Sequence, residues 1–406
     1  MNTRLPAALR ALRHRNYRLL FFAQMISVVG VWMQSTAQGW LVLRLSDSSF
    51  WLGAVAAAQS LPVMLLSLPA GALADRLPKR RLLLITQTTA MLCALSLALL
   101  TLTGLVQVWH VMLIAFTLGC SSSFEGPARQ SFTIELVGRD DLLNAIGLDS
   151  MMFNGARVIG PALAGILVAQ IGEGPAFLWN GLSFFVVLGS LLLMHLPPFI
   201  APGQQQQGAQ LRQGLQYMSS NPKVRLLLLQ LTVLATFCLA YIPLLPSFAR
   251  FVLGGDSQTL GALSSANAAG ALLSAVMITI LGDRLPRVKL RTIALLLYSL
   301  CLTGFTLMRS VPLAMLMIFA VGWCGITSLT LSNTLLQIIV PNSMRGRVMA
   351  VYSLMITGVA QLAGLCVGAL ADLSGDVALT VRIWTAIGWC LQLLLVLRYG
   401  KALREG

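Results

Sequence analysis

The sequence predicts an all-α integral membrane protein with twelve transmembrane helices. The first observation is composition: of 406 residues, 57% are hydrophobic and only 10% are charged, and the mean hydropathy is +0.81. A soluble domain usually contains about 25% charged residues, because its surface faces water. This composition excludes a soluble enzyme, a disordered chain and a secreted disulfide scaffold, and it implies that most of the surface faces lipid.

The second observation is where charges are missing. Residues 82–124 contain no Asp, Glu, Lys or Arg, and this stretch is long enough for two crossings, since one crossing needs about 20 residues. Such gaps and the turn residues between them predict helices over residues 17–43, 50–74, 82–104, 108–134, 142–170, 174–195, 224–250, 257–281, 290–308, 311–337, 346–371 and 379–397.

The third observation is the asymmetry of positive charge. With the N-terminus inside, 23 of the 28 Lys and Arg residues fall on the cytoplasmic side, four fall outside (Arg44, Arg250, Arg309 and Arg382), and Arg157 lies within a span. Cytoplasmic loops are typically enriched in Lys and Arg. The net charge of +15 therefore indicates orientation and not a nucleic-acid partner. It predicts a multi-pass membrane protein with both termini in the cytoplasm.

Two similar halves are predicted on either side of a polar segment. Residues 1–196 and 224–406 would each form a six-helix bundle, and residues 197–223 would form a cytoplasmic linker with an amphipathic helix carrying Leu211, Leu215 and Met218. Asp75-Arg76-Leu77-Pro78-Lys79 follows the second span, and Asp283-Arg284-Leu285-Pro286-Arg287 follows the eighth, 208 residues later. Parallel six-helix repeats are a known plan of membrane transporters.

Residues typical of enzymes and metal sites are sparse. The seven cysteines form no C-x-x-C pair, and the histidines (His14, His110 and His195) are scattered. We therefore expect buried thiols, no metal site and no cofactor. The phosphate-binding pattern G-x-x-x-x-G-K-[ST] is also missing from the sequence, so a nucleotide is not expected to power the protein.

The loop after the second span carries a family signature. Gly71-Ala72-Leu73-Ala74-Asp75-Arg76-Leu77-Pro78-Lys79-Arg80-Arg81 resembles the loop between helices 2 and 3 of the major facilitator superfamily, with Pro78 where Gly is usual. The resemblance implies two pseudo-symmetric six-helix bundles, the major facilitator fold. It also implies that Gly71, Asp75, Arg76, Lys79 and Arg80 form a latch that holds the outward-facing state, with Asp283 and Arg284 as a degraded copy. The simpler alternative is a basic loop that only fixes topology.

Further segments resemble one bacterial branch of this superfamily. They are Leu12–Leu19, Trp32–Trp40, Glu125–Gln130 and Asn154–Gly165, and the branch includes enterobactin-exporter-like and macrolide-efflux-like permeases. Gly160, Pro161 and Gly165 resemble the helix 5 motif of antiporters, with Ala156 and Ala164 in place of two glycines. That resemblance favours export, whereas the alternative is ordinary close packing of small residues.

Three charged residues are predicted at membrane depth, where ionisable groups are costly and are candidates for function. Glu125, Asp149 and Arg157 are candidates for coupling, with Arg157 paired to one of the carboxylates, to an anionic substrate or to carbonyl groups. The alternative is a static network in which Arg76 binds Glu125 or Asp149.

Polar side chains within the spans are candidates for a substrate cavity. By resemblance, helices 1, 4, 7 and 10 line such a cavity, and amides with aromatic rings suit a partly apolar substrate. The candidates are Gln34, Gln38, Trp40, Gln59, Tyr241, Asn267, Asn333 and Gln361. Each amide could instead join two helices by hydrogen bonds. Pro243 and Pro246 are expected to bend the seventh span.

These features predict a secondary active transporter that works by alternating access. We expect proton-coupled export of a small organic molecule, such as a drug, siderophore or metabolite, with the proton gradient as driving force. The expected partners are this substrate and the lipid bilayer, with anionic head groups at the cytoplasmic face, and the expected state is a monomer. The alternatives are a passive facilitator and, less favoured by the sequence, a membrane-embedded enzyme.

Overall fold

The computed structural model describes residues 7–196 and 216–399, apart from residues 283 and 285. A short 3-10 helix, Ala7–Arg13, precedes the first long helix. The six helices of the first half are α1 (Arg15–Ser46), α2 (Ser49–Arg76), α3 (Lys79–Leu102), α4 (Val108–Val137), α5 (Leu142–Ile171) and α6 (Gly174–Leu192). In the second half, α7 begins with Pro222–Val233, and α8 (Ser257–Leu281), α9 (Arg287–Leu307), α10 (Val311–Ile339), α11 (Asn342–Leu354 and Ala360–Ser374) and α12 (Val377–Tyr399) follow.

The helices confirm the predicted all-α membrane class. Eleven helices of the described chain are long and apolar enough to cross a membrane. The fourth predicted span, residues 108–134, forms the 30-residue helix α4 but is not among the eleven. Its C-terminal half is polar, because it carries three consecutive serines (Ser121–Ser123), then Glu125 and Arg129.

Contacts divide the chain into two compact units. The first comprises Met1–Leu45 and Ala58–Gly203, and the second comprises Ser46–Ala57 and Gln204–Gly406. Helix α2 therefore contributes its first residues to the second unit and the remainder to the first. The predicted amphipathic helix stays a prediction, because Leu211 and Leu215 lie outside the described residues.

The first unit has an apolar core near the start of α1. Tyr17, Phe132, Leu191 and Val187 are buried together there. At the other end of α1, the guanidinium of Arg44 donates two hydrogen bonds to Glu173, from Nε to Oε1 (2.8 Å) and from Nη2 to Oε2 (3.0 Å). Because Glu173 directly precedes α6, this bidentate pair fixes the end of α1 to the start of α6.

Each unit contains a close helix crossing made by a glycine. In the first unit, a Cβ on Gly119 of α4 would lie 2.1 Å from the carbonyl oxygen of Gln59 in α2. In the second, a Cβ on Gly322 of α10 would lie 2.0 Å from the carbonyl oxygen of Asn267 in α8. Gln59 and Asn267 are 208 residues apart, the same offset as the repeated acid-Arg turn. The two carbonyls thus occupy corresponding positions of the repeat, whereas the two glycines, 203 residues apart, do not.

The seventh span is irregular. After Pro222–Val233 comes a π-helical turn, Leu234–Cys238, and then a 3-10 turn, Ile242–Leu244. Pro243 and Pro246 lie in this stretch, and a proline removes a helical hydrogen bond. A second π-helical turn, Phe248–Val252, ends the span. The bend expected from the two prolines is an interruption of the regular helix in this structure.

Candidate functional site

The first unit contains a cavity of about 520 Å³ between α1, α4 and α5. Its wall is mainly apolar, and the polar side chains in it are those of Tyr17, Gln24, Arg129, Gln130, Thr133, Asp149, Ser150 and Asn154. Cavities of this size hold medium-sized organic molecules, and a few polar groups in an apolar wall orient such ligands.

Asp149 is the carboxylate of the cavity wall, and Tyr17 is its hydrogen-bond partner. The Tyr17 hydroxyl lies 2.9 Å from Asp149 Oδ1 and 3.1 Å from the carbonyl oxygen of Ala145. A phenol has one proton, so it donates to only one of these two acceptors at a time. Tyr17 is itself buried, and its ring is part of the apolar core.

Glu125 has a different environment, because it is paired within its own helix. Arg129, one turn further along α4, binds Glu125 through Nη2 and donates from Nη1 to Gln24 Oε1 at 2.6 Å. In the described chain Glu125 binds Arg129 and Asp149 binds Tyr17, and the alternative in which Arg76 binds one of these carboxylates stays a prediction. Arg76 is exposed at the end of α2, and no hydrogen bond or ion pair is described for it.

Arg157 lies two helical turns beyond Asp149 on α5. Its guanidinium carbon is 5.7 Å from the ring centroid of Trp32, within range of a cation–π interaction. Trp32 in turn packs edge-on against Phe153, with ring centroids 5.5 Å apart. This contact joins the middle of α5 to the middle of α1.

The helix 5 motif lies at the same crossing. A Cβ on Gly160 would lie 2.5 Å from Trp32 Cβ and 3.0 Å from the carbonyl oxygen of Val29, so only glycine allows α1 to approach this closely. Pro161 and Gly165 are buried on the same helix. The geometry accounts for Gly160 by close packing, and a role in antiport stays a prediction.

The predicted latch loop is partly described. Lys79 Nζ forms an ion pair with Glu135 Oε1 at 3.2 Å, and Arg80 donates to the carbonyl oxygens of Leu192 (2.9 Å) and Met194 (3.4 Å). A cation at the C-terminal end of α6 satisfies carbonyls that have no partner within the helix. A Cβ on Gly71 would meet no other atom within 4 Å, so packing does not explain this glycine.

The structure gives little information on the remaining latch residues. The side chain of Asp75 and the whole of Asp283 lie outside the part of the chain that the structure describes. Arg284 is exposed. The latch therefore stays a prediction for Asp75, Arg76, Asp283 and Arg284.

The predicted cavity residues are not part of the α1–α4–α5 cavity. Gln34 is buried and accepts a hydrogen bond from Asn180 Nδ2 at 2.7 Å, so it joins α1 to α6. Gln38 is also buried, Trp40 is half-buried and Gln59 is exposed. In the first unit these amides are thus spread along helices and do not meet in one site.

In the second unit, two of the candidates do meet. Asn267 Nδ2 donates to the Tyr241 hydroxyl at 3.1 Å, beside the interrupted part of the seventh span. Asn333 instead bonds to Gln337 in its own helix. The side-chain oxygen of Gln361 is buried with no hydrogen-bond partner among the described residues.

A cationic cluster fastens the N-terminal segment to the start of α5. Asp141, whose side chain is fully buried, accepts hydrogen bonds from His14 (2.7 Å) and from Arg10, and Arg13 lies 2.7 Å away. These partners, the His14 and Arg10 hydrogen bonds first, lower the pKa of Asp141 to about 2. The backbone N–H of Ala11 also donates to Asn144 Oδ1 at 2.8 Å. Residues 10–17 thus follow one face of α5 down to Asp149.

Four of these residues were not predicted from the sequence. Tyr17, Gln24 and Asp141 carry no spacing signal, although Tyr17 lies in the Leu12–Leu19 segment that supports the resemblance. Arg129 was counted with the cytoplasmic loops, but it lies inside α4. Its signal was available: an acid and a base four residues apart on a helix form a pair.

The chain matches the family described as transmembrane secretion effector over residues 6–404. It is 25% identical to the staphyloferrin A transporter of Staphylococcus aureus, covering 89% of this chain and 90% of that protein. It is 24% identical to the multidrug efflux pump Tap of Mycolicibacterium fortuitum, covering 88% and 89%, and 26% identical to the enterobactin exporter EntS of Escherichia coli O1:K1 / APEC, covering 82% and 80%.

Solved structures support the same fold. The nucleoside transporter NupG aligns with a TM-score of 0.75 at 14% identity, covering 94% of this chain and 98% of that one. An inward-facing bacterial homologue of ferroportin aligns with a TM-score of 0.73 at 17% identity and the same coverage.

Proposed function

This chain belongs to the transmembrane secretion effector family of the major facilitator superfamily, and we propose that it exports a small organic molecule by alternating access, driven by protons. The membrane is the bacterial inner membrane, and both termini are in the cytoplasm. The relatives named as an enterobactin exporter and a multidrug efflux pump support export as the direction.

The observation that carries the proton coupling is the pair Asp149–Tyr17 in the cavity wall. When Asp149 is ionised, the Tyr17 hydroxyl donates to its Oδ1. When Asp149 is protonated, it can donate to the Tyr17 oxygen while Tyr17 turns its own proton to the Ala145 carbonyl, 3.1 Å away. Both protonation states therefore keep their hydrogen bonds, so Asp149 can take up and release a proton without leaving a buried polar group unpaired.

Glu125 is the less suitable proton carrier. Its negative charge is matched by Arg129, and Arg129 is also held by Gln24. Protonating Glu125 would remove the directly bonded counter-charge of Arg129 and leave only the more distant Asp149 carboxylate to interact with it, which is costly in a partly buried place. We therefore assign proton coupling to Asp149 and an orienting role to Glu125 and Arg129.

The cavity also supports a substrate class. Its volume of about 520 Å³ and its mainly apolar wall suit a medium-sized amphiphilic molecule. Gln130, Ser150 and Asn154 offer uncharged hydrogen-bonding groups along the same wall. This wall favours a substrate that carries several hydroxyl, carbonyl or amide groups on an apolar frame.

The test is transport in everted membrane vesicles with an acidic interior. Ethidium, staphyloferrin A and enterobactin serve as the first probes. In Asp149→Asn, substrate accumulation driven by the proton gradient should fall at least about tenfold, because residue 149 no longer titrates. The variant should still exchange substrate between the two sides of the membrane when its concentrations there are equal, because it still binds substrate. Glu125→Gln should retain gradient-driven accumulation.

Two controls make the outcome specific. Asp140→Asn removes an exposed acid from the loop before α5 and should transport as the parent does. Tyr17→Phe should weaken coupling without abolishing it. Full accumulation by Asp149→Asn would overturn the assignment, and accumulation by the parent protein that ignores an uncoupler would identify a passive facilitator instead.

A further inference from the structure

The start of α2 is held by a carboxylate from a distant helix of the second unit. Asp372 of α11 accepts hydrogen bonds from the backbone N–H of Ser49 (Oδ1, 2.7 Å) and of Phe50 (Oδ2, 3.1 Å), and the Ser48 hydroxyl also donates to it. The first N–H groups of a helix have no partner within the helix and favour a negative charge. Asp372 therefore caps α2 across more than 300 residues of chain.

Close backbone packing accompanies this cap. A Cβ on Gly368 would lie 2.4 Å from the carbonyl oxygen of Ser49, and a Cβ on Gly53 would lie 2.7 Å from the carbonyl oxygen of Gly364. Gly364, Gly368 and Asp372 are four residues apart and share one face of α11. That face is a groove of small residues that ends in a carboxylate.

Two further polar contacts hold the same segment. The hydroxyl oxygens of Ser49 and Ser247 are 2.8 Å apart and buried, and Arg250 Nη2 lies 2.8 Å from Asp47 Oδ1. Residues 46–57 are thus attached to the second unit by a cap, a buried hydroxyl pair and an ion pair. From Ala58 onward, α2 belongs to the first unit.

The corresponding helix of the repeat is capped in the ordinary way. Asp256 directly precedes α8 and accepts a hydrogen bond from the N–H of Thr259 at 3.1 Å. The position 208 residues earlier is Ser48, which has no carboxylate to offer. In the first half, therefore, the capping carboxylate is supplied by α11 and not by the residue before the helix.

We propose that Asp372 is the positioning residue of an outer latch, which keeps residues 46–57 docked on α11 and releases them when the transport path opens to the outside. The proposal rests on alternating access and on the orientation given above. Helix α2 has residues in both units, so it cannot keep its contacts with both when the units rearrange. The contacts that break in this proposal are those of residues 46–57 with α11. The Asp372 carboxylate is exposed, so water can replace its hydrogen bonds when the segment leaves.

The test measures how often Ser247 becomes accessible. Ser247 is fully buried under Ser49 in this structure. Ser247→Cys is placed in full-length protein whose seven native cysteines are replaced, and a membrane-impermeant maleimide is added outside intact cells. Asp372→Ala should raise the labelling rate about tenfold, which corresponds to the free energy that a helix-capping interaction usually contributes. The labelling rate of Asp372→Asn should lie between those of the parent and of Asp372→Ala, since asparagine keeps the shape of the side chain but not its charge.

Two variants separate a latch from a plain helix cap. Asp376→Asn removes the local cap of α12, where Asp376 Oδ1 accepts from the N–H of Leu379 at 2.9 Å, and should leave labelling unchanged. Ser48→Asp combined with Asp372→Ala gives α2 a cap of its own, like that of Asp256, but no tether to α11. This double variant should label as fast as Asp372→Ala alone.

Labelling that is unchanged in both Asp372 variants would overturn the proposal, and so would a return to the parent rate in the double variant, which would identify Asp372 as a helix cap only. If Asp372→Ala fails to reach the membrane, the Asp372→Asn rate decides. The readout needs neither substrate nor gradient. A failed latch with intact proton-driven export would thus leave the proposed function standing, and the reverse result would leave the latch standing.

Discussion

Gly322→Ala should destabilise the second unit, because the new methyl group would collide with backbone. The Cβ would lie 2.0 Å from the carbonyl oxygen of Asn267 and 3.2 Å from the amide nitrogen of Ala271. A carbon and a carbonyl oxygen approach to roughly 3 Å at the closest, so α8 and α10 must separate by about 1 Å. Gly270 on α8 approaches the Phe319 carbonyl in the same way from the other side, so the helices cannot pivot around one contact.

The expected cost follows from overpacking a close-packed interior. Such substitutions cost about 1–3 kcal/mol, and in a unit of this size that corresponds to a fall in Tm of about 2–12 °C. Thermal unfolding of the detergent-solubilised protein can be followed with a thiol-reactive dye once the exposed Cys366 and Cys390 have been replaced, because the thiols of Cys238 and Cys324 are buried in the same unit until it unfolds.

Gly189→Ala is the matched control for this variant. Gly189 lies in α6, and a Cβ there would meet no other atom within 4 Å. Alanine in a helix interior is favoured over glycine by about 0.5–1 kcal/mol, so this variant should keep or raise the Tm. If Gly322→Ala unfolds at the same temperature as Gly189→Ala, the close crossing of α8 and α10 does not exist as described.

Three further predictions concern the first unit. Asp141→Asn should lower the Tm above about pH 4, where the Asp141 carboxyl of the parent is ionised. The pKa of Asp141 in the folded protein lies at about 2, below its ordinary value of 3.8, so the parent loses the stability contributed by the ionised carboxyl as the pH falls from about 4 to 2. The Tm values of the parent and of Asp141→Asn should therefore converge in that range. A constant difference between them down to pH 2 would contradict the pairing with His14. Glu173→Gln should cost about 1 kcal/mol, because a bidentate ion pair with the half-exposed Arg44 becomes a single hydrogen bond from the guanidinium to an uncharged amide oxygen, and an unchanged Tm would show that the pair is screened by water. Arg80→Gln should speed hydrogen exchange at the end of α6, measured by mass spectrometry, and exchange that stays slow would mean that other donors satisfy those carbonyls.

Most of the fold was predictable because charges and glycines mark helix ends in a membrane protein. Residues 142–170 were predicted for the fifth span, and α5 is Leu142–Ile171, bounded by Asp141 and Gly172. The internal break of the seventh span was expected only as a bend. Prolines show where a helical hydrogen bond is lost, but π-helical turns depend on packing with neighbouring helices, which leaves no local pattern.

The site was less predictable, because polar residues within spans have two uses. Glu125 and Asp149 were identified by their cost at membrane depth, but their partners Arg129 and Tyr17 depend on how α1, α4 and α5 face one another. Gln34 was an equally suitable candidate for the substrate cavity, but in the structure it joins α1 to α6 by a hydrogen bond. A single sequence gives the depth of a side chain along its helix but not the direction in which it points.

Arg291 shows the same limit in the second unit. It was counted with the cytoplasmic charges, but it lies five residues into α9 and is 1% exposed. Its guanidinium donates to Ser332 Oγ at 2.6 Å and to Gln230 Oε1 at 2.8 Å. Counting charges near helix ends cannot distinguish a cationic side chain in a loop from one that is buried inside the helix bundle.

The fastening of residues 10–17 to the start of α5 has a consequence for biosynthesis. Arg10 and Asp141 are 131 residues apart in the chain, so at roughly 5–20 residues per second the ribosome needs roughly 7–26 s between them. Throughout that interval the arginines of the N-terminal segment lack their carboxylate. The first helix to enter the membrane therefore reaches its final position only when the fifth emerges, and a nascent chain stopped before Asp141 should leave its N-terminus open to proteases.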